Sequence, residues 1–131
     1  MEIKICSKCK RELPVTHYHK NGFNSEGKQK YRGYCKDCAN SLEKQRYLNK
    51  KNFVNSQKTK CEKCGEDRFY TLDFHHRDKQ EKEFTIGQFK RGSFEVIQSE
   101  IDKCVILCSN CHREFHYLEA QEGMTIENYL G

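Results

Sequence analysis

The chain has 131 residues, of which 35% are hydrophobic and 33% charged, with no Trp and a net charge of +5. That composition is too polar to bury one large apolar core, so something other than apolar packing must hold the fold together. No segment approaches the roughly 18 consecutive apolar residues that a membrane span requires.

Nine cysteines supply the missing cohesion, and eight of them fall into four C-x-x-C pairs: Cys6 with Cys9, Cys35 with Cys38, Cys61 with Cys64, and Cys108 with Cys111. Repeated pairs of this kind are the layout of tetrahedral zinc sites rather than of a disulfide scaffold. Pairing neighbours in sequence puts Cys6, Cys9, Cys35 and Cys38 on one structural zinc, and Cys61, Cys64, Cys108 and Cys111 on a second. A crossed arrangement satisfies the same count. The N-terminal MEIKICSKCK has no apolar run that would serve as a signal peptide, so a reducing, cytoplasmic setting is expected.

The charge is unevenly divided. Residues 1–60 hold 15 Lys and Arg against 5 Asp and Glu, a balance of +10, whereas residues 61–131 hold 9 against 14, a balance of −5. A basic half suits a module that grips a polyanion, and an acidic half suits one that recruits cations. A solvated, lysine-rich surface accounts for the first figure equally well.

In chain order, residues 1–40 make a first module, closed by Cys35 and Cys38 after a 25-residue excursion from Cys9. Asn21-Gly22, Glu26-Gly27 and Gly33 are turn signals. Between them Tyr18, Phe23, Tyr31 and Tyr34 alternate with Lys20, Lys28, Lys30 and Arg32. Such interleaving serves phosphate contact and base stacking, yet Phe23 and Tyr31 are equally the small core that this module needs. With four sulfurs completing a tetrahedral site, His17 and His19 are expected at the surface.

Residues 41–60 follow as a basic helix, Ser41 to Lys51, and a polar linker to Lys60; Lys44 and Arg46 either track a phosphate backbone or keep the segment solvated. The second module, residues 61–119, opens with a knuckle at Cys61 and Cys64. Alternation of Tyr70, Leu72 and Phe74 against Thr71, Asp73 and His75 predicts a half-buried strand ending in His75 and His76. Neighbours on a strand face opposite ways, so one imidazole can look toward a metal and the other toward a substrate. Ser93 is set to cap a helix in which Phe94, Ile97 and Ile101 share a face, with no catalytic part. Val105-Ile106-Leu107 reads as a short strand, beside which Cys104 is expected as a buried thiol. In the closing CSNCHREFH, His112 and His116 lie four apart and project from one helix face. Cys111 and His112 diverge by about 100°, so the sulfurs and the imidazoles serve different ions. Residues 120–131 read as a tail without chemistry.

The succession CEKCG, LDFHHRD and EIDKCVILCSNCHREFH resembles the zinc-stabilised branch of the HNH, or ββα-metal, endonucleases common in phages and bacteria, over about Cys61 to Tyr117. The N-terminal CSKCK and YCKDC resemble the small zinc modules found ahead of such nucleases. The resemblance implies a small α+β, zinc-stabilised fold, in which a ββα-metal core follows a zinc-ribbon or treble-clef-like module. It implies that His75, His112 and His116 hold a catalytic divalent ion and that His76 is the general base. The position where the family often has an Asn to brace its catalytic loop is occupied here by Lys103, so another hydrogen bond must orient His76. Lys103 itself is a candidate to approach a phosphate.

The function implied is that of a metal-dependent DNA endonuclease or nickase acting on double-stranded DNA and leaving 3′-hydroxyl and 5′-phosphate ends. Imidazole ligands admit zinc, nickel or manganese, and magnesium only against its preference for oxygen. No dimerisation stripe is visible, which favours a monomer. The competing readings are a non-catalytic, zinc-dependent DNA-binding protein and a zinc-stapled interaction module.

Overall fold

The computed structural model describes residues 2–131, the side chains of Lys90 and Arg91 excepted. The chain forms two compact units, the first ending at Leu48 and the second spanning Asn49–Gly131. Each is a small α+β assembly of short antiparallel strands and helices. Among the described residues, no helix is long and apolar enough to cross a membrane.

In the first unit, β1 (Ile3–Ile5) pairs antiparallel with β2 (Glu12–Pro14), and the turn between them carries Cys6 and Cys9. β3 (Lys20–Phe23) pairs antiparallel with β4 (Gln29–Tyr31) across a register shift. Cys35 then immediately precedes α1 (Lys36–Ser56), whose first turn holds Cys38. The core of this unit is as small as the composition requires. Cys6, Tyr18 and Cys35 are buried, with Leu13, Tyr31, Tyr34 and Cys38 packed against them. The Tyr18 hydroxyl donates to the Lys4 carbonyl at 2.6 Å, which lets a phenol occupy a core position without an unpaired group. Phe23, a candidate for that core, is instead 66% exposed at the end of β3, and Tyr18 is the buried aromatic; Asn21 and Gly22, read as a turn, are strand residues of β3, and the chain turns after Phe23. His17 and His19 are exposed as expected.

Helix α1 is longer at both ends than the sequence reading of Ser41 to Lys51. No Gly or Pro interrupts it after Cys35, and Phe53 and Val54 are drawn into a cluster with Ile86, Ile97 and Ile101, so the expected linker is helical as far as Ser56.

The second unit is built on β5 (Leu72–His76) paired antiparallel with β6 (Cys104–Cys108), in a register that sets His75 opposite Val105 and His76 opposite Cys104. Gly65 follows the Cys61–Cys64 turn at φ 83°, a conformation that a side chain would strain. Two bonds fasten this turn to β6: the Glu62 amide donates to the Ile106 carbonyl, and the Ile106 amide donates to the Glu62 carboxylate. One strand face packs on α3 (Ser109–Glu122), joining Val105 and Leu107 to Phe115. Phe74 and Cys104 join the cluster on α2 (Phe94–Ile101). Ser93 caps α2 as expected, its hydroxyl accepting from the Val96 amide. Cys104 is half-buried, with burial raising its pKa to about 11, which suits an inert thiol.

Residues 120–131 are more than a tail. Gly123 ends α3 in the left-handed conformation, and Thr125 caps a short α4 (Ile126–Leu130). Ile126 and Tyr129 of α4 are buried in the main cluster, and the Tyr129 hydroxyl donates to Glu114 at 2.7 Å.

Candidate metal centre

Two sulfur quartets form. Cys6, Cys9, Cys35 and Cys38 bring their Sγ atoms within 4.8 Å of one another, and so do Cys61, Cys64, Cys108 and Cys111. Cys6 to Cys38 is 3.8 Å, Cys9 to Cys35 is 3.9 Å and Cys64 to Cys108 is 3.6 Å. A tetrahedral zinc with bonds of about 2.3 Å sets its sulfurs about 3.8 Å apart, whereas a disulfide needs about 2.05 Å. The quartets therefore have the dimensions of zinc sites, in the nearest-neighbour pairing.

The polypeptide supports thiolates at both. The amides of Lys8, Cys9 and Cys35 all point at Cys6 Sγ, and although burial alone raises that thiol, these bonds bring its pKa down to about 5. Cys61 is brought down to about 6 in the same way. Cys38 and Cys111 are pushed up to about 12, first by burial and then by the neighbouring sulfurs. Ionising all four thiols of a quartet thus calls for a cation among them, a role that zinc would fill. Either quartet can hold one structural zinc.

A third cluster uses nitrogen. β5 delivers His75, and α3 delivers His112 and His116 one turn apart. His75 Nδ1 lies 3.3 Å from His112 Nε2, which lies 3.0 Å from His116 Nε2, and the three ligand atoms fall within 4.8 Å of one another. Nitrogens on one ion, with bonds of about 2.1 Å, stand about 3.0 to 3.4 Å apart. Burial lowers the pKa of His75 to about 4, reinforced by the positive charge that His112 and His116 can carry, so its ring offers a lone pair at ordinary pH. The His112 and His116 side chains are 25% and 47% exposed, leaving one side of the cluster open to water.

Two carboxylates that the sequence reading passed over lie behind this cluster. Asp73 is 3.4 Å from His112 Nδ1, and Glu119 is 3.6 Å from His116 Nδ1. Each sits at the ring nitrogen turned away from the convergence point, where a carboxylate fixes the tautomer and raises the basicity of the ligating nitrogen. The signal was present: Asp73 is two residues before His75 on a strand, and Glu119 three after His116 on a helix. Asp73→Asn is expected to weaken binding of a divalent ion at the histidines about 10- to 100-fold, as measured by calorimetric titration, with both zincs retained.

His76, next along β5, meets a different neighbourhood. It is 8% exposed, and its Nε2 lies 2.7 Å from Glu100 Oε1 on α2. Glu100 is 1% exposed. Burial pushes its carboxyl pKa up, but bonds from the Glu83 amide, Lys103, His76 and the Phe84 amide outweigh that and hold it at about 2. An ionised carboxylate only accepts, so His76 donates through Nε2–H. A neutral ring that donates through Nε2–H keeps its lone pair on Nδ1.

Of the DNA-contact candidates, Lys28, Lys30, Arg32, Lys44 and Arg46 are all exposed residues of the first unit. Lys103 belongs to the second unit and is engaged within it, donating to Glu100 Oε2 at 3.1 Å and to the Glu81 carbonyl at 3.0 Å. Compared with models of protein families, with curated proteins and with solved structures, the chain matches none.

Proposed function

We propose that the chain is a metal-dependent DNA endonuclease or nickase of the ββα-metal kind, with its N-terminal zinc-ribbon or treble-clef-like module serving as a grip on double-stranded DNA. One observation carries this reading: three imidazole nitrogens converge on a point distinct from both sulfur quartets. A scaffold already stapled by eight cysteines needs no such centre for stability. The antiparallel β5/β6 pair running directly into α3, with histidines from the strand and the helix, supports the ββα assignment.

His75, His112 and His116 would hold the divalent ion. Bound there, it would supply positive charge to offset the charge that builds up on the reacting phosphate. Zinc, nickel or manganese suit three imidazoles better than magnesium does. His76 acts as general base, taking a proton at Nδ1 from a water, whose oxygen attacks phosphorus as the bond to the 3′-oxygen breaks and that oxygen takes a proton from solvent water. The products carry 3′-hydroxyl and 5′-phosphate ends. The exposed Lys28, Lys30, Arg32, Lys44 and Arg46 neutralise backbone phosphates along the duplex.

Supercoiled plasmid incubated with the zinc-loaded protein and manganese is expected to relax to nicked circles, and to stay supercoiled in EDTA. His76→Ala is expected to slow nicking about 10²- to 10⁴-fold. Equal behaviour of wild type and variant, with no chelator-sensitive nicking, leaves the alternative of a DNA-binding protein without catalysis.

A further inference from the structure

A buried carboxylate in a chain so short of apolar residues is costly, and an apolar side chain of similar volume often serves stability as well or better. Glu100 nevertheless sits on the buried face of α2, one turn after Ile97 and beside Ile101. Its Oε1 accepts from His76 Nε2 at 2.7 Å and from the Glu83 amide at 2.9 Å, and its Oε2 accepts from Lys103 Nζ at 3.1 Å. Lys103 is itself fixed by the Glu81 carbonyl, and its own carbonyl accepts from the Arg77 amide at 3.0 Å, immediately after His76. The carboxylate is thus clamped from two segments, by the Glu83 and Phe84 amides and by Lys103, and its partner outside that clamp is the imidazole.

We infer that Glu100, held by Lys103, is a positioning residue that fixes His76 as the Nε2–H tautomer, leaving the lone pair on Nδ1. This rests on the nuclease reading and extends it. The pair does here what an asparagine does in the resembling family, using a buried ion pair. Of the groups assigned to the reaction, Glu100 bonds to His76 and acts through it, as a carboxylate that orients a neighbouring histidine does elsewhere. A ring free to rotate or to exchange tautomers would present Nδ1–H to the water for part of the time and take no proton from it then.

Long-range proton–nitrogen correlation NMR of the ring nitrogens, on the intact zinc-loaded protein, reads the tautomer directly. Wild-type His76 is expected as Nε2–H alone, and Glu100→Gln as a mixture. In plasmid nicking, Glu100→Gln is expected to lower kcat about 10- to 100-fold, the size seen when partners that orient a functional imidazole are removed, with KM and affinity for manganese unchanged. A wild-type Nδ1–H tautomer, or a Glu100→Gln chain with wild-type kcat, overturns the inference. If Glu100→Gln does not fold, the wild-type tautomer decides. Wild-type protein that never nicks DNA refutes the nuclease reading, while the tautomer still decides the positioning.

Discussion

Serine in place of Cys108 is expected to unfold the second unit and leave the first folded. Cys108 is at once a sulfur of the second quartet, the last residue of β6 opposite Leu72, and the N-cap of α3, where it accepts from the Cys111 amide. It is also 7% exposed within the main cluster. A structural zinc contributes an apparent binding free energy of about 10–16 kcal/mol. That rivals the whole stability of a small domain, about 5–15 kcal/mol. A hydroxyl in place of a thiolate forfeits most of it, and the apolar cluster is too small to compensate. The first unit keeps its own quartet and the Tyr18 core. The measurement is zinc content with amide NMR: zinc should fall from two to one per chain, with dispersed resonances surviving up to Leu48 and collapsing beyond it.

The second large effect concerns the histidine cluster. The double variant His112→Ala, His116→Ala is expected to lose nicking by at least about 10³-fold, because a metal that neutralises a developing phosphate charge supplies several kcal/mol to the transition state. Stability should change little. Both side chains are partly exposed, and Phe115 between them, 1% exposed, carries the packing of α3. Both zincs should remain, and thermal unfolding should stay within a few degrees of wild type. Loss of activity together with loss of zinc would mean that the histidines serve the fold.

The groupings legible in the sequence were those set by an ion. Four C-x-x-C pairs admit few arrangements, and the structure adopts the one in which sequence neighbours share a quartet. His112 and His116 at a spacing of four, and His75 at a strand end, assemble as their periodicities require. Local signals also held where one residue decides, as with Ser93 capping α2. Features fixed by tertiary packing were not legible. Phe53 and Val54 are an apolar pair in a polar stretch, and nothing local says what they pack on, so the continuation of α1 to Ser56 depends on a cluster formed with Ile86 and Ile97. The burial of Ile126 and Tyr129 likewise depends on α3 ending at Gly123 and the chain turning back. Glu100 was hidden in a further way: a glutamate among Ile97 and Ile101 reads as a solvated edge until His76 and Lys103 are found opposite it. His75 and His76 do separate, His75 toward Phe115 and the helical histidines and His76 toward Glu100, as alternation along a strand dictates.

Cobalt(II) titrated into the zinc-loaded protein reports most directly on whether three imidazoles form a cation site of their own. One further equivalent is expected beyond the two zincs, with visible bands typical of nitrogen and oxygen ligands, no thiolate charge-transfer absorption, and no binding to the His112→Ala, His116→Ala chain. Saturation without a third ion, or a third ion that the double variant binds equally well, would contradict it.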